Sequence, residues 1–211
     1  MIKFAPEGYP FIIFFAVISA VVFLAGGIWA AIIPFILTFF MLFFFRDPDR
    51  TTPEGENNFI SPADGRVLQV QNVFEEKYLK GRAIEISIFM SPLNVHVNRA
   101  PCDGVVESVV HTPGRFLSAF KPEASIRNEN IAMLMKSDYY KVLVRQVAGA
   151  VARRAVCRTR PGDTLKRGER YGIIKFSSRL DIFLPEDTAI KVKPGDKVKA
   201  GESILGHLPA K

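Results

Sequence analysis

The chain has 211 residues, 28 of them Lys or Arg and 21 Asp or Glu, for a net charge of +7, and 48% are apolar. That length suits one domain with an appendage rather than two full domains, and the apolar content excludes a disordered or collagen-like chain. Two cysteines, Cys102 and Cys157, and three histidines, His96, His111 and His207, exclude a disulfide framework and a Cys- or His-rich metal centre, so no metal ligands are expected.

From Tyr9 to Phe45 no residue carries a charge, and Phe, Ile, Leu, Val and Ala dominate. A bilayer-spanning helix needs about 20 apolar residues, so this run is too long for one straight span and barely enough for two. Gly26-Gly27 lies near its middle, where a helix breaks most readily, and Pro34 kinks the second part. Residues 1–45 are therefore expected to be a membrane anchor. It is read as two short helices, about 10–25 and 28–45, in a tight hairpin, with one long tilted span as the alternative. Arg46 and Arg50 follow directly, and positive flanks stay on the cytoplasmic side. The expected location is the cell membrane, with the soluble part facing the cytoplasm, which agrees with two cysteines that need no partner.

The turn-rich segment 46–58 reads as a linker. Beyond it, β-prone runs alternate with Gly, Pro and Asp punctuation at Gly65–Val73, Ala83–Met90, Gly104–Thr112, Asn130–Met135 and Lys141–Val147. Two internal echoes appear. Pro62-Ala63-Asp64-Gly65 recurs as Pro101-Cys102-Asp103-Gly104, and the ten residues from Arg160 to Glu169 recur as Lys193 to Glu202. The second echo is similar to the turns of lipoyl- and biotinyl-type sandwiches. The predicted fold is mainly β, a flattened antiparallel barrel or sandwich with lipoyl-like hairpin echoes, preceded by the hydrophobic helical hairpin. A carrier role lacks a Lys at the tip of an exposed hairpin. Eight basic residues (Arg145, Arg153, Arg154, Arg158, Arg160, Lys166, Arg167 and Arg170) stand between positions 145 and 170. Beside an anchor they read as a surface for anionic lipid, worth about 1 kcal/mol per charge close to the membrane, or else as a solvated strand face. Nucleic acid is disfavoured because no stacking aromatics are interleaved with them.

The segment richest in chemistry is Gly172–Asp181, Gly-Ile-Ile-Lys-Phe-Ser-Ser-Arg-Leu-Asp. Its companions are Ser61-Pro62-Ala63-Asp64-Gly65, with an acid on a tight turn, Ser91 to Arg99, with His96 in an alternating run, and the polar loop from Phe116 to Asn128. Together, in this order and spacing, they resemble the phosphatidylserine decarboxylase family in its short, membrane-attached form, from Phe44-Phe45-Arg46-Asp47-Pro48 to Leu205-Gly206.

The resemblance implies a self-processing, pyruvoyl-dependent decarboxylase that converts phosphatidylserine to phosphatidylethanolamine. Ser178 is the nucleophile; cleavage between Ser177 and Ser178 leaves a β chain, 1–177, with the anchor, and an α chain, 178–211. The covalent cofactor is a pyruvoyl group derived from Ser178, on which the substrate amine forms a Schiff base, a form of covalent catalysis. His96 is the implied acid or base and Asp64 its orienting partner. Arg179, Arg115 and His111 are implied on the substrate side, and His207 as structural. Asn128 and Glu129 match the family's loop. The implied partners are phosphatidylserine, an anionic membrane surface and the chain's own two fragments, with a homo-oligomer compatible.

Two positions depart from the family's pattern. Arg99 stands where the long bacterial form has a second His, and Ser177 where the family usually has Gly, a residue that tolerates unusual backbone angles. The competing reading is a non-catalytic, unprocessed β-sandwich adaptor tethered to the membrane and binding anionic lipid or a membrane partner.

Overall fold

A computed structural model of the chain describes residues 3–55, 57–115, 117, 127–149, 154–176 and 178–209. It divides into two compact units, Met1–Asp49 and Arg50–Lys211.

The first unit is a 3-10 turn, Pro6–Gly8, followed by α1, Tyr9–Phe44, which is broken at Gly27. Gly27 has φ +70° and ψ −171°, a conformation outside the helical region that glycine adopts without a Cβ penalty. The break reverses the chain. In an unbroken helix Ser19 and Thr38 would stand about 28 Å apart at ~1.5 Å per residue; their hydroxyl oxygens are 3.0 Å apart. Phe23 packs on Phe35, Phe11 stacks on Phe45, and Phe4 bridges antiparallel to Arg46. The helical hairpin is thus present, and Pro34 lies within its second arm, Ile28–Phe44, without ending it. Ser19 and Thr38 also donate to the carbonyls of Phe15 and Pro34, so both hydroxyls are satisfied inside an apolar unit. Outward the arms present Phe14, Leu24, Trp29, Ile33 and Phe39, all exposed.

Among the described residues the second unit has fourteen strands. Five are long and lie where alternating β-prone residues place them: β2 (Gly65–Glu75), β3 (Gly81–Met90), β5 (Gly104–Thr112), β6 (Asn130–Lys136) and β7 (Lys141–Ala148). Between and beyond them come β1 (Asn58–Ile60), β4 (Val97–Arg99), β8 (Ala155–Cys157), β9 (Thr164–Leu165), β10 (Arg170–Ile174), β11 (Ser178–Pro185), β12 (Ala189–Ile190), β13 (Lys197–Val198) and β14 (Ile204–His207). They form one curled eight-stranded sheet in the order β13-β2-β3-β11-β7-β6-β5-β9, and two three-stranded sheets, β1-β14-β12 and β4-β10-β8, all antiparallel.

The strand order reads the same from both edges, and the echoes explain why. Gly65 of β2 pairs with Val198 of β13, and Gly104 of β5 with Leu165 of β9. Each pairing is followed by a bulge at the same place, Val67/Gln69 and Val106/Ser108. In the small sheets, Asn58, Phe59 and Ile60 meet His207, Gly206 and Ile204, while Val97, Asn98 and Arg99 meet Ile173, Gly172 and Arg170. The unit is therefore an internal duplication: β4–β10 form one contiguous copy, inserted between β3 and β11 of the other. Chain continuity from the inserted copy to the outer one runs through residues 175–178. In register, Tyr140 corresponds to Ser178, Phe59 to Asn98, and Leu184 to Gln146.

The core lies between the inner face of the large sheet and the two small ones. Ile84, Ile86, Ile88 and Met90 of β3, Leu180, Ile182 and Leu184 of β11, and Val142 and Val144 of β7 meet Phe59, Tyr171, Ile174 and Leu205 there. Each fully buried side chain of this kind stabilises by about 1.5–3 kcal/mol. The opposite face of the same strands carries Ala83, Ala132, Leu134, Leu143 and Phe183.

Candidate active site

Ser178 opens β11 and is fully buried. Its backbone is paired with Met90 of β3 on one side and Ala148 of β7 on the other. Alternation along a strand sends Ser178, Leu180 and Ile182 to the inner face and Arg179 and Asp181 to the opposite one. The Ser178 hydroxyl donates to Met90 Sδ at 3.5 Å, a weak acceptor that leaves the oxygen lone pairs uncommitted. Phe176, two residues earlier, has φ +59°, the left-handed region that costs a non-glycine residue about 1–2 kcal/mol. Strained backbone thus leads into the expected scissile bond; Ser177 itself lies outside the described residues.

A buried amide pair adjoins Ser178. Asn98 of β4 and Gln146 of β7 are essentially inaccessible to solvent, and Gln146 Nε2 donates to Asn98 Oδ1 at 2.8 Å and to Val156 O at 3.3 Å. Asn98 Nδ2 lies 3.9 Å from Met90 Sδ, the atom that also receives Ser178. Gly172 makes room for this arrangement, because a Cβ there would stand 2.2 Å from Val156 O and 3.0 Å from Gln146 Nε2. Sequence reasoning missed Asn98, Gln146 and Met90; only their shared inner face, set by register, brings them to Ser178.

His96 is fully buried immediately before β4. Its backbone carbonyl accepts from Ile174 N at 3.3 Å, and its Nδ1 lies 3.0 Å from the carbonyl oxygen of Asn94. A carbonyl can only accept, so Nδ1 donates this bond. Asp64 is also buried. Its Oδ1 accepts from Ala200 N at 2.7 Å, and its Oδ2 pairs with Arg50 Nη2 at 3.0 Å, while Arg50 Nη1 reaches Glu202 at 3.2 Å. These contacts pin the Ser61–Gly65 turn, whose Pro62 carbonyl accepts from Arg99 N and, at 3.5 Å, from Asn98 Nδ2. Arg99, at the departed position, donates to Gly168 O at 2.9 Å.

At the rim, Asn128 Nδ2 donates to Ala148 O, opposite Ser178, and to Leu117 O, while its Oδ1 accepts from Leu117 N. Glu129 O accepts from Ala148 N, so Glu129 is two strand spacings, about 10 Å, from Ser178. Its carboxylate lies 3.3 Å from His111 Nε2 on β5. Arg115 is exposed and its backbone bridges to Asn128. Most of the loop between them, 116 and 118–126, lies outside the described residues. His207 ends β14 and pairs with Asn58 and Ala189, a structural place.

One expectation is corrected. Arg179 is not an exposed substrate clamp: it is 2% exposed, on the face opposite Ser178, and its guanidinium is taken by Asp181 at 2.5 Å, Ser87 Oγ at 2.6 Å and Glu85 at 3.7 Å. That network borders a groove of about 690 Å³ on the far face of the sheet, lined in part by Gln69, Gln71, Glu85 and Arg145. Burial, reinforced by Asp181, pushes the Glu85 carboxyl above its ordinary range. Of the eight basic residues, Arg154 and Arg158 are exposed, while two others are engaged within the chain. Arg145 is half-buried against Glu75 and the Phe183 ring, and Arg167 donates to the carbonyls of Gly55 and Asn58. Arg160 and Lys166 are exposed, and Arg153 lies outside the described residues. Among the described residues no His, Cys, Asp or Glu cluster could hold a metal.

The family model described as phosphatidylserine decarboxylase matches residues 37–206. The chain belongs to the phosphatidylserine decarboxylase family. It is similar to the phosphatidylserine decarboxylase proenzyme of Syntrophus aciditrophicus, 48% identical over 204 residues and 96% of each chain. The corresponding proenzyme of Desulfotalea psychrophila is 44% identical over 208 residues, 97% of this chain and 96% of its own. That of Carboxydothermus hydrogenoformans is 48% identical over 181 residues, 85% of each. Family membership makes the chain a decarboxylase, and the first two relatives, matched over 96% and 97% of this chain, extend over the helical hairpin as well as the β unit.

Proposed function

We propose that this chain is the self-cleaving precursor of a pyruvoyl-dependent enzyme that decarboxylates phosphatidylserine to phosphatidylethanolamine at a membrane. The observation that carries the reading is a buried, weakly held serine hydroxyl at the first residue of a central strand, directly after strained backbone. These residues fit a group made from the chain itself, since a hydroxyl must add to the carbonyl just before it.

In the proposed processing, His96 Nε2 takes the Ser178 hydroxyl proton as Oγ adds to the preceding carbonyl. General-base help of this kind contributes typically ~10²–10⁴-fold. Collapse moves the peptide from nitrogen to oxygen, elimination breaks the chain, and water replaces the remaining nitrogen, which leaves as ammonia. The group so formed supplies an electrophilic carbonyl that holds the substrate amine and accepts the electron pair released with CO2. Asp64 fixes the turn whose Pro62 carbonyl receives Asn98 and Arg99. Arg115 and the His111–Glu129 pair stand on the rim, where an anionic headgroup would arrive. The α chain stays in place after the cut because β11 is hydrogen-bonded on both edges.

The hairpin supports membrane insertion. Each arm is about 27 Å long at ~1.5 Å per residue, close to the ~30 Å hydrocarbon thickness, and both apolar arms turn their large side chains outward. Because Phe4 meets Arg46, both ends emerge on one side, which the flanking arginines make cytoplasmic. Cysteines introduced at Lys3 and Asp49 should therefore both react with a membrane-impermeant maleimide in inside-out vesicles and neither in right-side-out ones. Labelling of the two from opposite sides would contradict the hairpin's placement.

The activity is tested with the purified chain in mixed micelles of phosphatidylserine labelled in the serine carboxyl group. Stoichiometric release of labelled CO2 with phosphatidylethanolamine is expected, and an inert chain would refute the reading.

A further inference from the structure

The internal duplication allows a comparison within one molecule. In the outer copy, the Phe59 ring packs edge-on against Tyr140 with centroids 5.1 Å apart, and Leu184 is fully buried. These are ordinary core positions. The corresponding positions around Ser178 hold Asn98 and Gln146, equally buried. An amide in such a place costs about 1–3 kcal/mol where its hydrogen bonds are incomplete, so packing does not account for the exchange.

The hydrogen bonds give the pair a direction. Gln146 Nε2 occupies Asn98 Oδ1 at 2.8 Å, which turns the Asn98 amino group the other way. There it meets only Pro62 O at 3.5 Å and Met90 Sδ at 3.9 Å, at or beyond the limit of a good hydrogen bond. Met90 Sδ is the same atom that the Ser178 hydroxyl touches. Gln146 and Ser178 are diagonal neighbours on one sheet face, within reach of a long side chain. A buried donor with no strong acceptor thus shares the Met90 sulfur with the Ser178 hydroxyl.

We propose that Asn98 is a catalytic hydrogen-bond donor for self-cleavage, and that Gln146 is the positioning residue that orients it. The inference rests on the self-processing reading above. As Ser178 Oγ bonds to the carbonyl carbon attached to its own nitrogen, the carbonyl electron pair moves to oxygen, and Asn98 Nδ2–H donates to that oxygen. The hydroxyl proton passes to His96 and then to the Ser178 nitrogen as the carbon–nitrogen bond breaks. No other reactant is required.

The test follows cleavage of newly synthesised full-length chain. Asn98→Leu should slow release of the 178–211 fragment about 10²–10³-fold, the usual effect of removing one preorganised donor. Gln146→Met, which leaves Asn98 in place but unoriented, should slow it in the same direction. Hydroxylamine cuts the ester form directly. It should not restore cleavage to either variant, because the ester forms slowly, whereas a variant held up after the shift would be cut at once. Wild-type cleavage by Asn98→Leu, or prompt hydroxylamine cleavage of it, would overturn the assignment. If Asn98→Leu fails to fold, Gln146→Met decides alone: a wild-type rate there overturns the positioning role. A wild-type chain that never yields the fragment would overturn the self-processing reading, and this assignment with it.

Discussion

Replacing Ser178 with Ala should leave one uncut chain of 211 residues and abolish decarboxylation. The expected loss is the whole catalytic enhancement, typically ~10⁶-fold or more, because the reactive carbonyl is made from this residue. The fold should be unaffected: the hydroxyl makes a single 3.5 Å contact to a thioether, and Ala148, its cross-strand neighbour, already shows that an alanine fits on this face. A gel of the purified variant beside wild type, with the labelled-CO2 assay, checks both halves. Cleavage in Ser178→Ala would move the reaction to another residue, and activity in an uncut variant would remove the mechanism.

The second large effect is one of stability, on the far side of the same strand. Arg179→Met should lower stability by about 3–5 kcal/mol, the usual result of removing one partner from a buried ionic network. At this chain length that is a fall of roughly 6–20 °C in the thermal midpoint. Asp181 and Glu85 would be left buried without the guanidinium that now lies 2.5 and 3.7 Å from them. The pH dependence has a definite sign. Burial, then Asp181, raises the folded Glu85 carboxyl above its ordinary 4.5, while Gln71, Arg179 and Arg145 oppose the rise. A group raised on folding contributes stability that is fully present below its unfolded value and is lost as pH rises through the folded one. Removing Arg179 raises Glu85 further, so the deficit of the variant should be largest at neutral pH and shrink towards pH 4.5. Thermal unfolding of both proteins across that range checks it. A substrate clamp would behave differently, with an unchanged midpoint and a raised KM.

Five of the long strands were legible because each carries a run of six or more β-prone residues set off by turn residues. The hairpin was legible because Gly26-Gly27 divides an uncharged run too long for one span. The echoes pointed to hairpin turns, but not to the duplication, since the echoes pair crosswise: the turn at Gly65 meets Val198, and the turn at Gly104 meets Leu165. That pairing depends on contacts between distant parts of the chain, with no local signature. Ser178, His96 and Asp64 were singled out through motifs. Arg179 was misread because adjacency in sequence to Ser178 means opposite faces in a strand. Asn98 lies within the Ser91–Arg99 run but has no evident role there, and Gln146 carries no motif; only folding brings them to each other and to Met90 beside the serine.

Intact mass spectrometry of the mature protein, before and after cyanoborohydride reduction with phosphatidylserine, tests the account most directly. Two chains are expected, 1–177 and 178–211, with the shorter one lacking a free amino terminus and gaining the mass of the lipid amine on reduction. A single continuous chain that nevertheless releases CO2 from phosphatidylserine would contradict it.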